Sequence, residues 1–197
     1  MQGLADGYFV LPYTIGDYLA GMLGQKPVPT DDPVFTDAEA AVTDQVRRLL
    51  QVNGHSSVDH LHRELGKIMW GKAGMARNDA GLRSAISDIV ALRETFWSDV
   101  KVTGDGTSLN QQLEKAGRVA DFIELGELLC RDALHREESC GGHFREESQT
   151  EDGEALRDDD RFAYVAAWEW TGEGQTENLH REELSFEYVK LAQRSYK

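Results

Sequence analysis

The longest helical pattern in this chain decides its fold. Residues 108–136 read SLNQQLEKAGRVADFIELGELLCRDALHR. Small and apolar side chains recur there at intervals of three and four residues, at Leu109, Leu113, Ala116, Ala120 and Ile123. This spacing places them on one face of an α-helix. Ser108 is of a residue type that caps helix N-termini, so we predict a helix from Ser108 to about Arg136.

Three further helical patterns precede this one. They are predicted to begin at Asp37, at Ser56 or Ser57, and at about Asp79. Asn53-Gly54 and residues 103–106 provide turns between helices. Long amphipathic helices joined by short turns favour an antiparallel bundle. The sequence therefore predicts a mainly α fold, an antiparallel three- to four-helix bundle (spectrin-repeat-like) at residues 37–136.

The composition changes on both sides of the predicted bundle. Residues 1–23 are apolar and glycine-rich, which indicates a helix meant for burial, with Pro12 kinking or dividing it. Residues 24–36 form a polar linker with three prolines. Residues 137–160 contain ten acidic residues and two arginines, which favours a solvated loop. A strand, or two short ones, is predicted at 162–170 and a further short strand at 184–190, with a turn at Gly172 and Gly174, so that 137–197 form an acidic loop and a short-strand tail.

The charge and the cysteine content exclude several classes of protein. The formal net charge of −14 disfavours binding to nucleic acid, because the phosphate backbone would be repelled. The longest apolar stretch, residues 8–15, is too short to cross a bilayer, so no direct membrane insertion is predicted. Two cysteines in 197 residues do not make a disulfide framework, which fits a reducing compartment.

Several segments resemble a known family. Residues 138–145, Glu-Ser-Cys-Gly-Gly-His-Phe-Arg, resemble the Glu-Ser-Arg-Gly-Ala-His-x-Arg segment of the flavoprotein subunit of succinate dehydrogenases and fumarate reductases. Residues 64–70 and 74–78 are similar to the Glu-Leu-x-x-Ile-Met and Gly-x-x-Arg stretches of the same subunits and of the related L-aspartate oxidases. Residues 1–23 resemble the closing helix of the FAD-binding domain. The resemblance thus follows the family order over nearly the whole chain.

The resemblance implies a function for the intact subunit. In the family, this subunit binds FAD and moves a hydride between succinate and flavin. An iron–sulfur subunit carries the electrons on to a quinone pool, and a membrane anchor subunit holds the complex at the cytoplasmic, inner face of the energy-transducing membrane. The residues that bind flavin and substrate precede residue 1 by this comparison. We therefore expect no catalytic or cofactor-binding residue here, and an isolated chain that is inactive and binds no FAD.

Three residues of the 138–145 segment are candidates for contacts within such an enzyme. Glu138, His143 and Arg145 match the family pattern. The resemblance implies that they form a clasp against the FAD-binding domain or the iron–sulfur subunit. The alternative is a solvated loop. Cys140 stands where the family usually has arginine, and a neutral thiol cannot supply the charge of a guanidinium.

Two other hypotheses follow from the residues alone. Cys130, His135, Cys140 and His143 offer two thiols and two imidazoles, a set that zinc accepts. The favoured alternative is a buried Cys130 and a loop histidine, and we predict no metal site. Considered without the resemblance, the chain reads as an independent helical protein-interaction module with no catalytic role.

Overall fold

The computed structural model describes residues 2–172 and 178–193. The chain divides into two compact units, Met1–Thr43 and Asp44–Lys197.

The first unit is helical. Helix α1 (Gln2–Ala5), a π-helical turn (Asp6–Val10) and helix α2 (Leu11–Ala20) follow one another directly. Pro12 lies at the start of α2, immediately after the π-helical turn. A proline ring clashes with the carbonyl group four residues earlier in an α-helix, and a widened turn at this place relieves the clash. The predicted irregularity at Pro12 is therefore present as a π-helical turn.

The apolar side chains of this unit are exposed. Tyr18 exposes 77% of its surface and Leu23 exposes 83%. The same holds for the other large apolar residues of this stretch: Leu4, Tyr8, Phe9, Val10, Leu11, Tyr13, Ile15, Leu19 and Met22. The segment predicted to be buried in an intact enzyme thus presents apolar surface in this chain.

Helix α3 begins earlier than predicted. It spans Pro33–Val52, and the carboxylate of Asp32 accepts a hydrogen bond from the backbone N–H of Val34 at 3.0 Å. Asp37 therefore does not cap this helix. Proline suits the first turn because its missing N–H would have no helical partner there. In the second unit, the last turns of α3 bring Leu49 into the core.

Helices α4 (Val58–Lys72), α5 (Asp79–Asp99) and α6 (Gln111–His135) pack together and form the body of the second unit. Its fully buried large side chains come from all three helices: Leu61, Leu82, Ile89, Phe96, Val119 and Ile123. This arrangement confirms the prediction of a mainly helical domain.

The helix starts depend on side-chain caps. Ser57 accepts from the N–H of His60 and caps α4 as predicted, and Asn78 caps α5. Helix α6 starts later than predicted, because Asn110 rather than Ser108 is its cap. The Asn110 carboxamide accepts from two backbone N–H groups of α6 and donates to two carbonyl groups of the preceding turn. A serine hydroxyl has too few donors for both tasks.

A short parallel strand pair, which the sequence did not indicate, joins the start of α4 to the end of α5. Strand β1 (Ser56–Ser57) pairs with β2 (Val100–Lys101). A Cβ atom on Gly54 would lie 2.1 Å from the carbonyl oxygen of Asp99, so this close approach requires glycine. Hydrogen bonds from the Ser56 hydroxyl and from the backbone and ring of His55 lower the pKa of Asp99 to about 2.

The tail contains a short helix and a hairpin. Helix α7 (Asp159–Phe162) precedes strands β3 (Tyr164–Glu169) and β4 (Asn178–Glu183), which pair antiparallel with Tyr164 opposite Glu183. The prediction of a strand near 162–170 is confirmed. The prediction of a second strand at 184–190 is wrong. The strand that pairs with β3 is Asn178–Glu183, and the last backbone hydrogen bond of the hairpin runs from the N–H of Leu184 to the Ala163 carbonyl. Gly174, half of the predicted turn, lies outside the described residues.

Candidate functional site: the Glu138–Arg145 segment

The segment turns back on itself directly after α6. The backbones of Cys140 and His143 exchange two hydrogen bonds, of 2.9 and 3.0 Å. Gly141, between them, has a φ of +60°, a conformation that side-chain-bearing residues rarely adopt. The predicted need for glycine is confirmed at this position. Cys140, Gly141 and Gly142 form an exposed tip, while the residues on either side lie deeper.

Arg145 is buried against the end of α6. Only 3% of its surface is exposed. Its Nη1 donates to the carbonyl oxygens of Ala133 and Leu134 at 3.0 and 3.2 Å, and its Nε donates to Glu147 at 3.1 Å. The last carbonyl groups of a helix lack helical partners and carry partial negative charge. The guanidinium therefore donates hydrogen bonds to these carbonyl groups and also balances their partial negative charge.

The backbone of the segment is tied to the α4–α5 connection. The N–H of Arg77 donates to Phe144 O at 3.1 Å, and the N–H of Glu146 donates to Arg77 O at 2.8 Å. Ser139 fixes Arg145 from the other side, since its hydroxyl accepts from the Arg145 N–H at 2.8 Å and lies 3.2 Å from the Arg145 carbonyl. The segment is thus held between two helix ends.

Glu138 links the end of α6 to the tail. It is 2% exposed, and its carboxylate accepts from Arg136 Nη1 at 2.8 Å and from the Asp158 N–H at 2.9 Å. Arg136 in turn donates to the carbonyl groups of Phe162 and Tyr164. A buried carboxylate costs little free energy when its oxygens are paired in this way.

His143 is half-buried, and its partners define its tautomer. Nε2 lies 2.8 Å from the Arg136 carbonyl, which can only accept, so Nε2 carries the hydrogen. Nδ1 then accepts from Arg77 Nη1 at 3.0 Å. Burial lowers the pKa of His143, and the nearby Arg77 and Arg145 lower it further against the opposing effect of the Arg136 carbonyl. The ring is therefore neutral at pH 7.

The solvated-loop alternative is wrong for this segment, because Glu138 and Arg145 are buried. The three predicted residues do come together, although the hydrogen bonds described above are to partners in this chain. A role of Glu138, His143 and Arg145 in contacts with a flavin-binding domain or an iron–sulfur subunit remains a prediction. Sequence reasoning gave no role to Arg136. Arg77 was visible as the last residue of the Gly-x-x-Arg stretch, yet its contact with His143 was not foreseen.

The four residues of the zinc hypothesis have separate environments. Cys130 is buried beside Met69, and burial raises its thiol pKa to about 11. Nε2 of His135 lies 2.8 Å from the Tyr164 hydroxyl. Within residues 2–172 and 178–193, no three histidine, cysteine or acidic side chains gather as metal ligands would. The favoured reading of Cys130 as a buried core residue is confirmed.

The described residues do not fit a flavin site either. A dinucleotide site needs a glycine-rich turn between a strand and a helix. Gly71 lies inside α4, Gly81 lies inside α5, and Gly74 lies in the connection between these two helices. In the part of the chain that is described, no helix is long and apolar enough to cross a membrane.

Comparison with known proteins identifies the family. The family model for the fumarate reductase flavoprotein C-terminus matches residues 62–196, which is more than half of the chain. The match begins inside α4 and includes α5, α6, the 138–145 segment and the tail hairpin.

Curated relatives include flavin-dependent enzymes. An uncharacterized FAD-dependent oxidoreductase of Methanocaldococcus jannaschii is 28% identical over 66% of this chain. An L-aspartate oxidase of Synechocystis is 26% identical over 57% of it. A polypeptide of the CoM/CoB fumarate reductase of Methanothermobacter marburgensis is 31% identical over 58% of it. The chain spans only 20–23% of the length of these relatives.

Solved structures share the fold. A quinol fumarate reductase chain of E. coli superposes with a TM-score of 0.70 at 20% identity, over 84% of this chain and 27% of that one. A quinol–fumarate reductase with menaquinol molecules gives 0.74 at 20% identity, over 92% and 30%. Since the family match extends from the middle of the bundle through the tail, this chain belongs to the fumarate reductase flavoprotein C-terminal family, and it is the C-terminal domain of a flavoprotein subunit of the fumarate reductase and succinate dehydrogenase family.

Proposed function

We propose that the intact subunit interconverts succinate and fumarate through FAD and passes electrons to an iron–sulfur subunit and a quinone. The observation that carries this proposal is the family match over residues 62–196. The fumarate reductases among the relatives support it. In this proposal, the chemistry belongs to the flavin-binding part of the subunit, and the chain described here supplies scaffold and contacts.

The way the 138–145 segment is held supports the scaffold role. Arg145 and Glu138 use their polar atoms within this domain, on the end of α6 and on the tail. They therefore stiffen the domain and fix the position of the Cys140–Gly142 tip. We propose that this tip, held in place by Glu138, His143 and Arg145, meets the flavin-binding part.

Exposed apolar side chains beside the tip support this assignment. Trp70 is 88% exposed and Met75 is 92% exposed. Together with Gly142, they line a cleft of about 470 Å³. Large apolar residues exposed side by side mark contact surfaces. The proposed partner at this surface is the flavin-binding part of the same subunit.

The iron–sulfur subunit and a membrane anchor subunit complete the proposed assembly. The complex would lie on the cytoplasmic face of an energy-transducing membrane, with this chain peripheral to the bilayer. Relatives of known structure include a quinol–fumarate reductase and the Sdh1 complex of Mycobacterium smegmatis, which supports a multi-subunit setting.

Co-purification tests the proposal. The chain purified alone is expected to be colourless and inactive towards succinate. Produced together with a flavin-binding polypeptide encoded beside it, the chain is expected to co-purify with bound flavin and succinate-dependent flavin reduction. The double variant Trp70→Ser, Met75→Ser should lose this association. The matched control Leu109→Ser, at a leucine that is 96% exposed, should keep it.

Two results would contradict the proposal. Stoichiometric flavin on the chain alone would show that this domain binds flavin itself. Failure of the wild-type chain to associate with the flavin-binding polypeptide would favour the independent interaction module. Equal association of the double variant and the control would remove only the assigned contact surface.

A further inference from the structure

An arginine-rich cleft lies where helices α5 and α6 meet the tail. It has a volume of about 600 Å³, within the range of small-ligand sites. Its cationic side chains come from four separate elements: Arg83 of α5, Arg131 of α6, Arg161 of α7 and Arg181 of β4. Glu137 is the only carboxylate among the described residues that line it. In a chain with a net charge of −14, this is a local reversal of charge.

Three of these arginines have carboxylate partners. Arg83 pairs with Asp79 at 2.7 Å, and Arg161 pairs with Glu137 at 2.5 Å and with Asp158 at 3.6 Å. Arg131 pairs with Glu127 at 2.7 Å.

Glu127 accepts from the buried Arg93 as well as from Arg131, so this carboxylate links α5 to α6.

Arg181 is the most available cation of the cleft. Its guanidinium lies over the Tyr164 ring, 4.5 Å from the centroid, and Nη2 lies 3.3 Å from Nε2 of His135. Burial and Arg181 both lower the pKa of His135, so this neighbour is neutral. Across residues 2–172 and 178–193, no carboxylate forms an ion pair with Arg181. Towards these described residues, its remaining N–H donors make no ion pair and can bind an anion.

Aromatic side chains of β3 line the cleft on the same face of the hairpin as Arg181 and are held in place. Trp168 of β3 donates from Nε1 to Asp132 at 2.6 Å, and its ring meets the His135 ring edge-on with centroids 5.4 Å apart. Tyr164 is on the same face of β3, since it precedes Trp168 by four residues. A ligand that enters between the arginines therefore meets a rigid apolar surface beside them.

We propose that this cleft binds a small organic anion that carries at least two carboxylate or phosphate groups, with Arg181 as the principal anion-binding residue and Arg83 as the second. The planar fork of a guanidinium matches both groups with two parallel hydrogen bonds. One charged group binds Arg181, another binds the other arginines of the cleft, and the body of the ligand lies on Trp168. The proposal is independent of the flavoenzyme function, because it uses only residues of this chain.

Isothermal titration calorimetry on the full chain tests the proposal, with citrate and pyrophosphate as probes and acetate as the single-charge control, all at constant ionic strength. Saturable 1:1 binding is expected for at least one of the two probes. Loss of one charge-assisted hydrogen-bond pair in Arg181→Gln should weaken that binding about tenfold or more. Arg83→Gln should weaken it to a smaller extent. Both arginines are exposed, so neither change should disturb folding.

The matched control is Arg118→Gln. Arg118 is an exposed residue of α6 that pairs with Glu114 and does not line the cleft. The Arg118→Gln variant should bind the probe with the same affinity as the wild type. Equal weakening in Arg118→Gln would show diffuse attraction to the whole surface and overturn the proposal. Absence of saturable binding of both probes in the millimolar range, or acetate binding as tight as that of the probes, would overturn it too. Binding of one probe alone supports it and selects between carboxylate and phosphate.

Discussion

Residues 2–23 and residues 138–145 reverse the usual relation between polarity and burial. The first stretch is apolar, yet Tyr18 and Leu23 are 77% and 83% exposed. The second stretch is polar, yet Glu138 and Arg145 are 2% and 3% exposed. Burial in this chain therefore follows the availability of partners. A charged side chain can be buried when its atoms are hydrogen-bonded, whereas an apolar one is buried only where another surface covers it.

The comparison also separates two kinds of contribution to stability. The polar segment joins the ends of α4, α5 and α6 to the tail, so that changes within it are felt by the whole second unit. The apolar stretch belongs to the first unit, where its side chains face solvent. We expect substitutions in the two regions to differ strongly in their effect on the free energy of unfolding.

The largest effect is expected from Arg145→Ala. Removal of the guanidinium leaves the carbonyl groups of Ala133 and Leu134 buried without this donor, which should lower the free energy of unfolding by about 3 kcal/mol. Urea denaturation followed by circular dichroism measures it. Arg118→Ala, which removes an exposed helical ion pair, should cost only about 0.5 kcal/mol. Equal effects of the two substitutions would show that Arg145 does not hold the helix end.

A smaller, pH-dependent effect is expected at His143. Its pKa in the folded chain is lower than the ordinary value of 6.5, so the unfolded chain binds the proton more readily. Stability should therefore decrease as the pH falls below 6.5 and level off below the folded pKa. Protonation of Nδ1 would place its N–H against the N–H donor of Arg77 Nη1, so the hydrogen bond between them would be lost.

Comparison with His143→Gln isolates this contribution. A glutamine amide can accept from Arg77 and donate to the Arg136 carbonyl, but it does not titrate. The variant should lose less stability than the wild type between pH 7 and pH 5. Burial and Arg181 lower the pKa of His135 as well, so part of the pH dependence should remain in the variant. Identical pH profiles would show that His143 is not the titrating group.

The smallest effect on stability is expected in the apolar stretch. The triple variant Tyr8→Ser, Tyr18→Ser, Leu23→Ser removes exposed side chains and should change the free energy of unfolding of the second unit by less than about 0.5 kcal/mol.

The wild-type chain should associate with a second copy or be cleaved early within residues 1–23, since exposed apolar patches drive contacts. Sedimentation velocity at several concentrations and limited proteolysis measure both. A monomer that resists cleavage there would contradict this expectation.

The sequence was most informative where structure is local. Apolar spacing predicted the helices, and the glycine at 141 marked the turn after α6, because periodicity and backbone freedom are properties of neighbouring residues. The caps were less predictable. Asn110 replaced Ser108 at the start of α6 because its carboxamide also bonds the preceding turn, a requirement that helix periodicity does not contain.

The site and the cleft depended on contacts between distant residues. The sequence alone determined which residues resemble the family, namely Glu138, His143 and Arg145. Only the tertiary structure decided that Arg145 binds the carbonyl end of α6 and that His143 meets Arg77, a residue 66 positions earlier. The arginine-rich cleft has the same origin, since its cations come from four elements. Local patterns fix which segments are helical, whereas the packing of those segments fixes which charged groups share one space.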